Sequence, residues 1–450
     1  MTRLVFFRQI WKAYFVSYLV KLAKKGNSTS FPGLAIEKRY PGLLKDLTQD
    51  FEKVILISGT NGKTTTRAII NHFYQAQNIP ICSNLGGANL VRGIATSLLL
   101  NRDFWGKPKS KIGVFEIEEA SLPIITKYIK TDTLILTNLF RDQLDAYGEI
   151  DTTLDYFRKS LITLKFPFKN QLTNSDKDQK FELPELIING EDGNLVDLVS
   201  EFGVIPKTFA LDIKNDQKPR YESKFKAKNL NKITAVAKDI TQNNLETTFE
   251  IKLFDETETI KTQLPGTYNI YNILAAYLAT KSTFKEKIQS SLVASFKPAF
   301  GRGEKITIEN QLIHLFLVKN PAGMDQVLNL IKDNFKDDPV NLAICINDNI
   351  ADGKDISWLW DASLESFIKS QKIGEIYTAG TRGLDMLLRL EYSGLQVENS
   401  QNKETFSGLL EQIQDSKKEF LVLCNYTALL ELRKLLATKT NLKDINEAGN

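Results

Sequence analysis

The chain has 450 residues, 42% of them hydrophobic and 25% charged, with a formal net charge of +4; this is room for two or three domains with the composition of an ordinary soluble globular protein. The small net charge, with Lys and Arg scattered among Asp and Glu, argues against nucleic-acid binding. Three widely separated cysteines (Cys82, Cys345, Cys424) in apolar surroundings fit buried thiols in a reducing compartment, no C-x-x-C or H-E-x-x-H spacing proposes structural zinc, and His72 and His314 are the only histidines available for a Cys-His nucleophile.

The chain opens on apolar positions at helical spacing (Val5, Phe6, Ile10, Trp11, Tyr14, Phe15, Tyr18, Leu19, Leu22) that leave a basic face. Arg8 and Lys12 interrupt the run and no small-residue cleavage site follows, unlike an export signal. It is also too short and too charged to span a bilayer. A helix packed on the protein's own core is expected ahead of one lying on a membrane surface. Residues 26–50, with GNSTSFPG and Pro41-Gly42, read as a loop and connector.

Residues 54–66, VILISGTNGKTTT, are the stretch around which the rest is organised. A buried strand stops at Gly59 and passes through Thr60, Asn61 and Gly62 to Lys63, Thr64 and Thr65, with a helical segment over 67–77. That order brings the backbone N–H groups of a Gly-containing turn, and a helix N-terminus, to face an anion. Lys63 would reach the β/γ-phosphates and the Thr64 hydroxyl would hold Mg²⁺. Ile57 stands where the general phosphate-loop pattern has Gly.

A short strand is expected at 79–83, followed by Gly86-Gly87 and a helix from near Leu90, an arrangement that could put Asn84 and Asn89 near phosphates or substrate. IGVFE at 112–116 is a buried strand ending in acids, Glu116, Glu118 and Glu119; TLILTN at 133–138 ends in Asn138 and leads to Asp142. Strands alternating with helices describe a parallel sheet covered on both faces. Ligands bind at the carboxyl ends of such strands, where Gly59, Glu116 and Asn138 fall. Residues from 169 to about 262 are polar and lysine-rich, and read as antiparallel strands and loops inserted into or appended to this unit. After Gly266, Asn269 and Asn272 share one face of a helix, where paired amides can read an adenine edge.

Near residue 301 the pattern resets to a second α/β unit, with strands at 314–318, 342–346, 375–378 and 420–424 and helices at 325–335, 384–392 and 403–415. The aspartate-rich loop DNIADGKDISWLWD after Ile346, with Trp358 and Trp360 interleaved, suggests a packed functional surface. The division expected is therefore 1–45, an N-terminal helix and connector; 46–300, a nucleotide-binding domain with a polar β-rich insertion at about 170–262; and 301–450, a C-terminal α/β domain.

Eight stretches, GTNGKTTT (59–66), NLGGANLVRGIAT (84–96), FEIEEASLP (115–123), TNLFRDQLDAYGE (137–149), GTYNIYNILAA (266–276), GRGE (301–304), VKNPAGMDQVL (318–328) and NDNIADGKDISWLWD (347–361), together resemble the Mur ligase family and, within it, the MurT subunits of lipid II isoglutaminyl synthases. The resemblance runs nearly end to end, and its last two stretches separate MurT from the amino-acid-adding Mur ligases. It implies an α/β fold with a Mur ligase-like central P-loop nucleotide-binding domain and a C-terminal Rossmann-like α/β domain. The implied activity is ATP-dependent amidation of the α-carboxyl of D-glutamate in the lipid II stem peptide, through an acyl phosphate, to D-isoglutamine.

By the same resemblance ATP lies on Gly59, Thr60, Asn61, Gly62, Lys63, Thr64 and Thr65, with Asn269 and Asn272 at adenine and Arg302 near the phosphates. Mg²⁺ falls to Thr64 with Glu116 first and Glu119 next, and Asn84, Asn89, Asn138 and Asp142 lie in the substrate or phosphate vicinity. The implied partner is a GatD-like class I glutamine amidotransferase. Asp355, or Asp352 as the close alternative, would complete its catalytic triad, and Trp358 would help form the interface. Zinc is not expected, because residues 190–230 hold no cysteine where MurT proteins often carry a four-cysteine ribbon. Gln143 stands where many Mur ligases have His, which leaves open a second Mg²⁺ site and a carbamylated lysine, with Lys159 a guess for the latter. A cytoplasmic enzyme working at the inner face of the membrane is implied. The alternatives are a ligase of the same fold that adds an amino acid without a partner, and a nucleotide-gated scaffold without catalysis.

Overall fold

The computed structural model describes residues 3–22, 32–84, 87–140, 150–165, 183–213, 233–243, 245–253, 256–281, 283–284, 290–296, 301–309, 311–335, 338–416 and 418–440. Its first sheet has nine strands: β1 (Lys53–Ser58), β2 (Ile81–Ser83), β3 (Ile112–Glu116), β4 (Thr133–Leu136), β5 (Glu185–Asn189), β6 (Lys207–Leu211), β7 (Ala235–Asn243), β8 (Glu246–Leu253) and β9 (Glu256–Thr262). They run in the order β2-β3-β1-β4-β5-β6-β7-β8-β9.

β1 lies between β3 and β4, parallel to both, with Ile57 opposite Glu116 and Ser58 opposite Leu136. Its continuous apolar run follows from burial on both faces. Val54 and Leu56 pack with Ile94, Leu98 and Phe115 on one side, while Ile55 and Ile57 pack with Ile69, Phe73 and Leu274 on the other. The second layer is supplied by helices Lys63–Ala76 and Thr267–Lys281, which pack on each other. The latter is buried almost all round, as an apolar sequence without a polar face requires.

The expectation of an antiparallel insertion from about residue 170 needs correction. β5 and β6 continue the sheet in parallel, and only β7, β8 and β9 form an antiparallel meander on its edge. ELIIN and KTFAL are short buried strands joined through helix Gly193–Ser200, a unit whose signal is diluted by the lysine-rich sequence around it.

The second sheet comprises β10 (Arg302–Ile308), β11 (Gln311–Leu317), β12 (Val340–Cys345), β13 (Ile373–Ala379), β14 (Asn402–Lys403) and β15 (Phe420–Cys424), in the order β10-β11-β15-β12-β13-β14. All neighbours are parallel except β10, an antiparallel edge strand that the reading of GRGEKITI did not anticipate. The N-terminal helix Arg3–Leu22 buries Ile10 and Ala13 against the first core, as expected, but leaves Trp11, Phe15 and Tyr18 exposed. Among the described residues no helix is long and apolar enough to cross a membrane.

Candidate active site

The turn after β1 is held too tightly for side chains at its two glycines. Gly59 has φ +128° and Gly62 φ +89°, a region that L-residues rarely adopt. A Cβ on Gly59 would overlap the Thr137 hydroxyl, and one on Gly62 would overlap the Asn272 amide oxygen. The loop is clamped from the end of β4: the Thr60 N–H donates to the Asn138 carbonyl (3.0 Å), the Asn61 N–H to Asn138 Oδ1 (2.9 Å), and Asn138 Nδ2 and Thr137 Oγ1 to the Asn61 carbonyl (3.0 and 2.7 Å). Asn138 thus shapes the loop by side chain and backbone together. Helix Lys63–Ala76 then starts at Gly62 without a side-chain cap. An uncapped helix start combines free N–H groups with the positive end of the dipole, which together attract phosphate.

Lys63 is 7% exposed. Its ammonium donates to Glu119 Oε1 (2.8 Å) and to the Gly59 carbonyl (2.5 Å). Burial pushes the Glu119 carboxyl up to about 8; Lys63 opposes the shift, and neighbouring Glu118 adds to it. Glu116, 1% exposed at the end of β3, accepts from Arg67 Nε and from the Gly87 N–H, both at 3.3 Å. Asn89 Nδ2 donates to Glu118 Oε2 (2.7 Å). Three acids from one strand end therefore stand beside the phosphate loop, each already compensated by a donor.

A cavity of about 260 Å³ opens between the two sheets. Thr60, Asn61, Gly62, Lys63, Thr64, Asn89, Glu116, Asn138 and Asn272, all expected site residues, line one wall. The opposite wall comes from the second unit and includes Lys319, Gln326, Asp352, Trp358 and Tyr426. An amide pair joins the walls: Asn61 Nδ2 donates to Asn320 Oδ1 (3.4 Å) and Asn320 Nδ2 to Asn61 Oδ1 (3.3 Å).

Several expected residues fall elsewhere. Asn84, fully buried, donates to the Ala88 and Glu116 carbonyls and accepts from the Glu116 N–H, so it braces the β2–β3 ends instead of facing the cavity. Asn269, also fully buried, gives its amide to the Pro265 carbonyl (2.7 Å) and accepts from Asn272 (3.2 Å); only Asn272 of the pair reaches the cavity. Thr65 is buried behind the loop. Lys159 is exposed, its ammonium over the Tyr156 ring, away from the cavity lining. Arg302 opens β10 beside Gly301, which lines the cavity. Asp142 and Gln143 lie outside the described residues.

The aspartate-rich loop separates into two roles. Asp352, 4% exposed, accepts from the Thr427 N–H (2.8 Å) and from the Thr427 hydroxyl, fixing the start of helix Tyr426–Lys439. Asp355 is partly exposed and accepts from the Ser357 N–H (2.8 Å). Trp358, expected at an interface, is instead 5% exposed and built into the second core and the cavity wall. The exposed member is Trp360 (49%), edge-on to Tyr392 with centroids 5.4 Å apart and with the Arg389 guanidinium 5.2 Å over its ring. The register of the turn decides this: Trp358 and Trp360 lie two residues apart in a tight helical turn, which sends them to different sides.

The sequence reading did not single out Tyr268, Tyr271, Phe316, Lys319 or Tyr426 as site residues, although all line the cavity. The two tyrosines alternate with the asparagines in GTYNIYNI, so the signal was present. Phe316 sits in a strand whose pattern is that of core.

A family model described as MurT ligase C-terminal matches residues 317–429. The "Lipid II isoglutaminyl synthase (glutamine-hydrolyzing) subunit MurT" of Staphylococcus aureus (strain COL) is 28% identical over 447 residues, covering 93% of this chain and 96% of that protein. The protein of the same name from Streptococcus pneumoniae (strain ATCC BAA-255 / R6) is 29% identical over 438 residues, covering 93% and 94%. The MurF ligase of Thermotoga maritima, solved in complex with ADP, superposes with a TM-score of 0.61 at 14% identity, covering 89% of this chain and 84% of that one, a likeness of fold. The chain is thus similar to MurT subunits over nearly its whole length, and its residues 317–429 match the MurT ligase C-terminal family.

Proposed function

We propose that this chain is the synthetase subunit of a glutamine-dependent ligase that amidates the α-carboxyl of D-glutamate in the lipid II stem peptide. A carboxylate is a poor electrophile, so a carboxylate oxygen first takes the γ-phosphoryl of ATP and ADP leaves. Ammonia then attacks the acyl carbon, and inorganic phosphate departs with the former carboxylate oxygen, leaving the carboxamide of D-isoglutamine. The observation that carries the reading is the shared cavity: a phosphate loop forms one wall, and the second unit's aspartate-rich loop forms part of the other.

The loop suits a polyphosphate, since its glycines leave no room for a Cβ, its helix start is uncapped, and a buried ammonium faces the same wall. Lys63 and the helix N-terminus offset charge on the transferring phosphoryl. Thr64 and Glu116 would hold Mg²⁺, which supplies further charge neutralisation. Asn138 and Asn272 keep the loop in shape from below.

The nitrogen would come from another chain. Cys82, Cys345 and Cys424 are buried; burial pushes Cys82 up to about 12 and raises Cys424 as well, whereas a nucleophilic thiol requires the opposite shift. The S. aureus and S. pneumoniae relatives are named as subunits of glutamine-hydrolysing enzymes, which supports a GatD-like class I amidotransferase as partner. Asp355 is the group available to orient that partner's catalytic His, because Asp352 is committed to Thr427. Trp360, Leu388 and Tyr392, exposed on neighbouring elements of the same unit, would supply the docking surface. The reaction would take place in the cytoplasm, where ATP meets the lipid-linked precursor at the inner face of the membrane.

The test is mass spectrometry of lipid II incubated with the purified chain, ATP and Mg²⁺, with ammonium alone or with glutamine and the partner. A carboxyl converted to a carboxamide supports the reading; an added amino-acid residue overturns it.

A further inference from the structure

The N-terminal helix turns an aromatic face outward that the reaction does not use. Trp11, Phe15 and Tyr18 stand at helical spacing i, i+4, i+7 and are 47%, 63% and 61% exposed. The loop between helix Val91–Leu100 and β3 extends this face with Phe104 and Trp105, 58% and 76% exposed. The two segments are joined: the Trp11 indole N–H donates to the Phe104 carbonyl (3.2 Å), and the two rings stack with centroids 5.3 Å apart. Trp105 stands edge-on to Phe104 at 5.8 Å.

The patch is rigidly mounted. Ile10 and Ala13 anchor the helix in the core, and Tyr14 Oη donates to the Arg102 carbonyl (2.6 Å). Arg102 is itself buried, bonded to Asp50, the Leu47 carbonyl and the Gly106 carbonyl. Gly106, at φ +80°, brings the loop so close to Phe6 and Phe7 that a Cβ would meet their rings at 3.1 and 3.0 Å.

Its charge is predominantly positive. The helix sequence contains no Asp or Glu, and Arg8 and Lys12 are exposed, as is Lys107 on the loop. The nearby carboxylates are committed, Asp50 to Arg102 and Asp103 to the N–H groups of Trp105 and Lys107. Aromatic rings with polar tips, flanked by cations and mounted on a convex helix instead of in a groove, match the headgroup region of an anionic bilayer.

We infer that Trp11, Phe15, Tyr18, Phe104 and Trp105 form a surface by which the chain docks peripherally on an anionic lipid membrane. The inference stands on these side chains alone and does not rest on the amidation reading.

The test is co-sedimentation of the full chain with vesicles of phosphatidylcholine, with and without phosphatidylglycerol. The expected result is binding about 10-fold or more tighter to the anionic vesicles and weakened by added salt. Phe15→Ser with Trp105→Ser should reduce it about 10-fold or more at an unchanged unfolding temperature, since both side chains are exposed. Lys12→Glu with Lys107→Glu should remove the anionic preference, and decides the matter should the aromatic variant fold poorly. The inference is overturned if the chain ignores both vesicles, if the variants bind as the parent does, or if the aromatic substitutions instead abolish self-association or binding of a soluble protein.

Discussion

The Lys63 ammonium and the Glu119 carboxylate meet at 2.8 Å beside the phosphate loop, each side chain 8% exposed. A pair this deeply buried is held by mutual compensation, and removing one member strands the other. Lys63→Ala should therefore remove ATP-dependent amidation by about 10²-fold or more, with ammonium as well as with glutamine. A far-UV melt run alongside shows whether the loss exceeds any unfolding. Retained activity would mean that nucleotide only tunes assembly.

Gly62→Ala probes the loop itself. The position has φ +89° and no space for a methyl beside Asn272. The left-handed conformation alone costs an L-residue about 1–2 kcal/mol, so both nucleotide affinity and unfolding temperature should fall, as read by calorimetric titration with a non-hydrolysable ATP analogue and by a thermal melt.

The two aspartates of the second unit should part company. If Asp355 completes the partner's triad as proposed, Asp355→Asn is expected to eliminate glutamine-dependent amidation while sparing the ammonium-dependent reaction. Asp352→Asn should instead destabilise the chain by about 1–3 kcal/mol through the bonds to Thr427, and lower both activities together. Parallel assays with the two nitrogen sources distinguish these outcomes.

Trp358 and Trp360 make a second contrasting pair. Trp358→Ala opens a cavity in the second core and should cost about 3–5 kcal/mol. Trp360→Ala with Tyr392→Ala, both exposed, should leave the unfolding free energy from a urea titration within about 0.5 kcal/mol of the parent and weaken association with the amidotransferase, read by titration of the partner.

Burial also sets a pH dependence. Asp192, fully buried at the start of helix Gly193–Ser200, is pushed up to about 7 by desolvation, against bonds from the Leu139, Leu195 and Asn194 N–H groups. The folded chain thus keeps a proton that the unfolded chain releases near its ordinary carboxylate range. The corresponding stability is complete below that range and is lost as pH rises through about 7. Melting temperatures of the nucleotide-free chain should fall from about pH 5 to about pH 8.5, and Asp192→Asn should make that fall shallower.

What the sequence revealed and what it hid have physical reasons. Residues 54–66 were legible because strand, turn and helix leave different periodicities, and Gly59 and Gly62 mark the two positive-φ positions. Asn138 and Asn272 stood out in the sequence and both line the cavity, but their contacts with the loop and its helix depend on residues far apart in sequence. Asn84 and Asn269 carry the same amide as their cavity-facing neighbours; only three-dimensional direction separates a brace from a contact. β5 and β6 were hidden because strands of five residues are swamped by surrounding polar sequence. Asp352 and Asp355 look equivalent in DGKD, and only the Thr427 bonds tell them apart.

The most direct test of the central claim follows an oxygen atom. Lipid II labelled with ¹⁸O in the α-carboxyl of D-glutamate is converted with ATP, Mg²⁺ and ammonium, and the inorganic phosphate is analysed by mass spectrometry. Carboxylate activation by phosphoryl transfer predicts one labelled oxygen in each phosphate formed with the carboxamide. Phosphate free of label, or a product carrying an added amino acid, would contradict it.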